Sequence, residues 1–229
     1  MTNRPVALVT GATRGIGRAI ALELSSTHRI LVGGRDAARA GELAAELDDA
    51  APFVCDLADE DAVAAACTGI GRLDVLVHSA GIGRSNDIGL ASRALWREVF
   101  ETNVFAVADL TRLLLPALEA ARGIVVAINS GAGFFSSPGG AVYAGSKFAL
   151  RALTDALREE MRGKVRVCSI HPGRTDTDMQ RELQAAMGNE HYNGSCYVSP
   201  GSVAAAVRLA VDTPDNATVE QLSIRPSVF

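Results

Sequence analysis

The sequence predicts an α/β fold: one doubly wound domain over residues 1–229, with a parallel sheet of about seven strands and helices on both faces. Three observations carry this. Short apolar runs alternate with longer alanine-rich amphipathic segments along the whole chain. Runs such as Val75-Leu76-Val77 and Ile124-Val125-Val126-Ala127-Ile128 show no polar alternation, as strands covered on both faces require. No linker rich in Pro, Gly or Ser, no internal repeat and no low-complexity tract interrupts the pattern.

Taken in order, the first strand is Val6–Thr10, closed by a glycine-rich turn that opens a helix over Gly15–Ser25. A second strand, Arg29–Gly33, leads into a helix at Asp36–Leu47, with Asp36 as its cap. Strands at Pro52–Cys55 and Leu73–His78 flank a helix at Glu60–Gly69. A long helical pattern, Ser92–Ala121, precedes the strand Gly123–Asn129. The helix Ser146–Arg162, the strand Val165–His171, the helix Pro200–Val211 and the strand Val219–Ile224 complete the chain. Gln180–Val198 has no clear periodicity and is long enough to act as a lid, placed at 179–198.

Composition excludes several functions. An apolar fraction of 48% rules out a disordered chain. With 26 acidic and 22 basic side chains the net charge is −4, which argues against binding nucleic acid by charge. No apolar run approaches the ~18–20 residues of a bilayer span. Met1-Thr2-Asn3-Arg4-Pro5 lacks the features of a leader, and Cys55, Cys67, Cys168 and Cys196 are scattered, so a cytoplasmic protein with reduced thiols is expected. His28, His78, His171 and His191 have no metal-ligand spacing, so no metal is expected. Within the basic count only Lys147 and Lys164 are lysines, and the only tyrosines are Tyr143, Tyr192 and Tyr197.

Thr10-Gly11-Ala12-Thr13-Arg14-Gly15-Ile16-Gly17 joins the first strand to the first helix. Glycines there permit a tight turn, and the amides at the helix start favour a phosphate. The spacing Gly-x-x-x-Gly-x-Gly differs from the general Rossmann fingerprint, but its placement points to a dinucleotide. At the tip of the second strand, where an acidic residue would hold an adenosine ribose, stand Gly34 and then Arg35. Arg35, with Arg14 in the turn, suits a 2′-phosphate, hence NADP(H) over NAD(H).

Both scarce residue types meet in Tyr143-Ala144-Gly145-Ser146-Lys147. Four residues apart on a helix, Tyr143 and Lys147 share a face with the apolar stripe of Leu150, Leu157 and Met161. A free tyrosine titrates near ~10, and bringing it to ~7 needs about 4 kcal/mol of differential stabilisation of the phenolate. A lysine one turn away is a compact point charge suited to help supply it. Ser130 follows the apolar run ending at Asn129, at the carboxyl end of a central strand where open α/β sheets bind ligands. Asn129-Ser130-Gly131 lacks the Gly-x-Ser-x-Gly elbow of a serine hydrolase.

From about Val6 to Ile224 these ordered motifs resemble the short-chain dehydrogenase/reductase family, in its compact NADP(H)-preferring branch. The resemblance implies reversible hydride transfer between a nicotinamide and a carbonyl or alcohol. Tyr143 would be the acid/base, Lys147 would lower its pKa and hold the ribose, and Ser130 would orient the substrate oxygen. Asn103, in Glu101-Thr102-Asn103-Val104, would anchor a water chain to Lys147. Cofactor contacts are implied at Gly11, Thr13, Arg14, Gly15, Ile16, Gly17 and Arg35, and at Asp56 and Leu57 after the third strand. They continue at Ser79, Ala80 and Gly81, which resemble the family's Asn-Ala-Gly, and at Tyr143, Lys147, Pro172, Gly173, Thr175 and Thr177.

The chain departs from the family pattern twice. Ser79 stands where asparagine is usual, removing an amide that bridges strands. Leu222-Ser223-Ile224-Arg225-Pro226 replaces the Val-Asp-Gly-Gly ending of many tetrameric relatives, so a homodimer through Ser92–Ala121 and Ser146–Arg162 is expected ahead of a tetramer. The expected activity is that of an NADPH-dependent carbonyl reductase on a small-molecule ketone or aldehyde. The alternatives are a 3-oxoacyl-thioester reductase and a cofactor-sensing regulator without turnover. Phe134, Phe135, His191, Tyr192 and Tyr197 are candidate walls of the substrate pocket, favouring an apolar or ring-bearing ketone.

Overall fold

In a computed structural model, which describes residues 4–186 and 188–227, the apolar runs become strands β1 (Val6–Val9), β2 (Arg29–Gly34), β3 (Ala50–Val54), β4 (Val75–His78), β5 (Ile124–Ile128), β6 (Arg166–Pro172) and β7 (Gln221–Ile224). Met1–Asn3, read for a leader, and residue 187 of the lid segment lie outside the described residues. Among these, the strands pair in parallel in the order β3-β2-β1-β4-β5-β6-β7. The helices are α1 (Gly15–Leu24), α2 (Ala37–Glu46), α3 (Glu60–Cys67), α4 (Arg93–Phe100), α5 (Ala106–Ala121), α6 (Ala141–Glu160), α7 (Asp178–Ala186) and α8 (Pro200–Asp212). Among the described residues none is long and apolar enough to cross a membrane.

The period-two geometry of a strand explains the absence of polar alternation. Along β1, Ala7 and Val9 pack into one apolar cluster with side chains of α1, α2 and α8. Leu8, between them, points into the opposite cluster with α3, α5 and α6. The same division separates Ile124, Val126 and Ile128 from Val125 on β5. Burying one such leucine contributes ~1.5–3 kcal/mol, so both faces exclude polar residues from the strand centres. Strand order reverses between β1 and β4, which opens a crevice at the carboxyl ends of these two strands.

Three boundaries differ from the sequence reading. The single helix expected over Ser92–Ala121 is α4, a π-helical turn at Glu101–Phe105, and α5. The widened turn buries Asn103, whose side chain is held by three hydrogen bonds to other segments. Helix α6 starts at Ala141, not Ser146, because the chain reverses at Gly139 (φ +73°) and Gly140 N–H closes onto the Ser137 carbonyl. Helix α7 forms inside the segment that showed no pattern; it is mostly polar and buries only Gln184 among its described side chains. Asp36 caps α2 as expected, its carboxylate accepting from Arg39 N–H at 3.2 Å.

Candidate active site

The glycine turn closes on itself. A Cβ on Gly17 would lie 2.2 Å from the Gly11 carbonyl oxygen, and one on Gly11, itself at φ +62°, would lie 2.8 Å from Ala80 Cα. Any side chain at either position would push β1, α1 and the end of β4 apart. Helix α1 begins at Arg14 with no side-chain cap and no acidic residue in its first turn. Its leading N–H groups and the positive end of its dipole therefore face the crevice, where an anionic pyrophosphate would satisfy them. The crevice encloses about 290 Å³ and is lined by Gly11, Thr13, Arg14, Gly15, Ile16, Gly17, Arg35, Asp56, Leu57, Ser79, Ala80, Gly81 and Thr177. All are residues singled out from the sequence. The structure adds Phe53, Cys55, Ile82, Thr102, Asp178 and Met179, none of which is expected from the sequence as a cofactor contact.

At the tip of β2 the Thr13 side chain crowds the position that a carboxylate would take. A Cβ on Gly34 would lie 2.9 Å from Thr13 Cγ2, and Asp36 is turned away as the cap of α2. Arg14 and Arg35 both line the crevice here, and Arg14 lies 3.9 Å from Glu182 of α7 across solvent. After β4 the backbone at Ser79 is tied to β1 by Thr10. Its hydroxyl accepts from Ser79 N–H (3.0 Å) and Ala80 N–H (3.1 Å) and donates to the Val77 carbonyl.

Beside the crevice, α6 brings Tyr143 and Lys147 against the end of β5. Ser130 stands by the Tyr143 phenol; burial pushes that phenol's pKa up while the Ser130 side chain pulls it part of the way back. Lys147 is only 5% exposed; its ammonium donates to the Ile128 carbonyl at 3.0 Å and lies 5.8 Å from the Tyr143 ring centroid. Burial lowers the Lys147 pKa to about 8. The ammonium thus bonds a strand carbonyl, because one helical turn carries it past the ring to the end of β5. Asn103 accepts from Ile82 N–H (2.9 Å) and donates to the Ile82 carbonyl (2.9 Å) and to Ser146 Oγ (3.0 Å). Ser146 in turn donates to the Tyr143 carbonyl at 2.7 Å. Asn103 therefore fastens the loop after β4 to α6; Ile82 and Ser146, its partners, had no signal in the sequence.

A Cβ on Gly81 would lie 3.2 Å from Asn103 Oδ1 and 3.9 Å from Lys147 Nζ, so the crevice and this cluster adjoin. Pro172, Gly173 and Thr175 stand apart from the crevice lining. Thr175 bridges to Val198 and donates to the Gly173 carbonyl, shaping the loop that carries Thr177. Met179 leans over the cluster, since a Cβ on Gly83 would lie 3.2 Å from its Sδ and 3.9 Å from Tyr143 Cε2. The aromatic pocket walls are largely self-packed. Tyr192 stacks on Tyr197 at 4.8 Å and donates to Asp176 at 2.8 Å, and Phe134 packs on His171.

Residues 5–188 match the family model described as short chain dehydrogenase. The chain belongs to the short-chain dehydrogenase/reductase family. A serine 3-dehydrogenase of Agrobacterium fabrum is 33% identical, over 96% of this chain and 92% of its own length. A metagenomic short-chain oxidoreductase solved in complex with NADP is 33% identical with a TM-score of 0.81, over 98% of each chain. An alcohol dehydrogenase from the archaeon Thermococcus sibiricus, complexed with 5-hydroxy-NADP, is 27% identical with a TM-score of 0.89, over 99% of this chain and 98% of that one. The protein is thus a short-chain oxidoreductase of alcohol and carbonyl groups that uses a nicotinamide cofactor. The uncapped first turn of α1, the glycine cradle and the buried Lys147 ammonium fit such a cofactor. The α1 amides and Thr13 would hold its phosphates, and Lys147 would hold its ribose.

The buried ammonium makes the site costly to the fold. Below about pH 8 Lys147 is charged in the folded and unfolded states alike, and the folded state bears the whole burial cost. Between about 8 and the unfolded value of ~10.4 the folded state has already lost the proton, so the cost fades. Lys147→Met should therefore raise the unfolding temperature of the cofactor-free protein at pH 7, by at most about 3 kcal/mol in stability, and the gain should shrink towards pH 10. Thermal unfolding across this range tests it; a variant less stable than wild type at pH 7 would refute it.

Proposed function

We propose that the protein is an NADPH-dependent carbonyl reductase that converts a ketone or aldehyde to an alcohol, with Tyr143 as the proton donor. The observation that carries this reading is the convergence of Ser130, Tyr143 and Lys147 beside the crevice at the carboxyl end of the sheet. When bound, the cofactor supplies the hydride. Burial keeps the Tyr143 phenol protonated at neutral pH, which is the form that can deliver a proton to a substrate oxygen. The Ser130 hydroxyl, beside the phenol, holds the carbonyl oxygen in line with it. As the proton leaves, the Lys147 ammonium stabilises the developing phenolate through a low-dielectric interior. Oxidation of an alcohol needs the phenolate at the start, so the reverse reaction gains with rising pH.

Preference for the phosphorylated cofactor is supported by Arg14 and Arg35 on the crevice and by the carboxylate-free tip of β2. Solved relatives bound to NADP agree with it. A homodimer through α4–α5 and α6 is supported by Phe105 and Phe148, which stand 53% and 44% exposed on these elements.

Three measurements test this reading. With a panel of ketones, quinones, 3-oxoacyl thioesters and 3-hydroxy acids, Tyr143→Phe should lose at least about a hundredfold in turnover, and an undiminished rate would sink the mechanism. Arg35→Ala should lose about tenfold or more in kcat/KM with NADPH and little with NADH; equal losses would remove the phosphate role. Sedimentation should show a dimer that Phe148→Glu dissociates, and an unchanged sedimentation profile for that variant would move the interface elsewhere.

A further inference from the structure

Beyond the last bond of its ladder with β6, the end of β5 is held by side chains. The final backbone bond between the two strands runs from Asn129 N–H to the Ile170 carbonyl at 2.8 Å. One residue on, the Ser130 amide donates to Asn129 Oδ1 at 2.9 Å. The Ser130 carbonyl accepts from Gly133 N–H at 3.0 Å and meets Nδ1 of His171, on β6, at 3.1 Å. His171, near the end of β6, is fully buried. Its other nitrogen, Nε2, lies 3.1 Å from Gln221 Nε2 on β7. A carbonyl can only accept, so Nδ1 carries the proton; an amide nitrogen can only donate, so Nε2 carries the lone pair. Between these two partners the ring is neutral and held in one tautomer.

The ring is also fixed in space. Phe134 packs on it with centroids 4.4 Å apart, and Arg151 lies over the Phe134 ring. The carbonyl of His171 accepts from Arg225 Nη1 at 2.6 Å, and a Cβ on Gly131 would lie 3.3 Å from Arg225 Nη2. His171 and Arg225 thus grip the Ser130–Gly131 peptide from β6 and the end of β7. Among the described residues, none of this cluster lines the crevice. What it controls is the backbone from which the Ser130 side chain projects towards Tyr143.

We propose that His171 is a positioning residue, whose imidazole extends the β5–β6 ladder by one side-chain rung and so aims the Ser130 hydroxyl at the Tyr143 phenol. The proposal rests on the role given above to Ser130 in carbonyl reduction. Burial, with Arg151 and Arg225 adding to it against the opposing pull of the Ser130 carbonyl and Asp155, lowers the His171 pKa and agrees with a neutral ring. The side chain of asparagine places its amide nitrogen where His171 holds Nδ1. That of glutamine reaches the place of Nε2 instead, and phenylalanine keeps only the bulk.

His171→Asn should keep turnover close to wild type, while His171→Phe loses about tenfold in kcat with little change in the KM of the carbonyl, as losing a coupling of roughly 1.4 kcal/mol implies. The loss should vanish when His171→Phe is made in a Ser130→Ala background, whereas a purely structural role would cost the same in both. NADPH binding, followed by fluorescence, counts the folded sites; if the phenylalanine variant binds none, His171→Gln takes its place in the comparison. A second readout needs no turnover. In a Tyr192→Phe/Tyr197→Phe background, phenolate absorbance follows Tyr143 alone, and its titration should move up in His171→Phe as it does in Ser130→Ala. An upward shift in a protein that reduces no carbonyl would sink the function and keep the positioning role. Equal kcat for the asparagine and phenylalanine variants, or an unmoved Tyr143 titration, would overturn it.

Discussion

Burial of the Lys147 ammonium is the constraint on which the rest of the site depends. A cation taken out of water costs several kcal/mol unless a partner takes over from the solvent. The partner here is the Ile128 carbonyl, at the last residue of β5. That one bond sets how far along β5 the helix α6 sits, and one turn earlier on α6 stands Tyr143. With the helix in that place, Tyr143 meets Ser130, two residues beyond Ile128. The π-helical turn between α4 and α5 fixes α6 a second time, through Asn103 and Ser146. Strand, helix and turn thus converge on a single charge, and the reactive phenol takes its place from them.

The same charge couples this cluster to the crevice. Gly81, at the end of β4, lies against Asn103 and Lys147 on one side and lines the crevice on the other. Across the reversal in strand order, Gly11 faces Ala80, and a Cβ on Gly11 would lie 2.8 Å from Ala80 Cα. Thr10 adds a hydroxyl that accepts from two amides after β4. The crevice and the Tyr143 cluster therefore adjoin at one edge of the sheet, which is what hydride and proton delivery to the same carbonyl would require.

Features that depend on local chemistry were legible in the sequence. The strands followed from apolar runs, to within about two residues at most ends, because a strand buried on both faces admits almost nothing polar. The glycine turn and Arg35 could be placed on the crevice, and Tyr143 and Lys147 on one helix face, because backbone contacts and helix spacing are local in sequence. Features that depend on tertiary partners were hidden. The π-helical turn at Asn103 exists because Ile82 and Ser146 receive its amide, and neither is near it in sequence. Helix α7 has no apolar stripe because it packs little against the core. Tyr192 and Tyr197 read as pocket walls but satisfy each other and Asp176, since an aromatic residue in a loop stacks where a partner is nearest. His171 reads as an unexplained polar residue until Ser130 and Gln221 are brought to either side of it.

The use of cations follows the same division between fork and point charge. The chain has 20 arginines and two lysines. Arg158 donates to the Val167 and Glu220 carbonyls, and Arg166 to those of Thr213 and Val211, where α8 ends. A planar guanidinium with several donors suits such places, where two or more acceptors lie side by side and the helix dipole is negative. The gathering of Arg122, Arg158, Arg162, Lys164 and Arg166 at the far end of the sheet is explained by the helix ends it covers. At the end of β5 the acceptor geometry differs, with one carbonyl for the buried cation among the described residues. A guanidinium there would bury donors that have no partner, and it could not release its proton under any condition the protein survives. The ammonium fits because it is compact and because burial brings its pKa to about 8, close enough to neutrality for the surrounding charges to matter. The position that excludes arginine is therefore the position from which a single charge can act on the phenol one turn away.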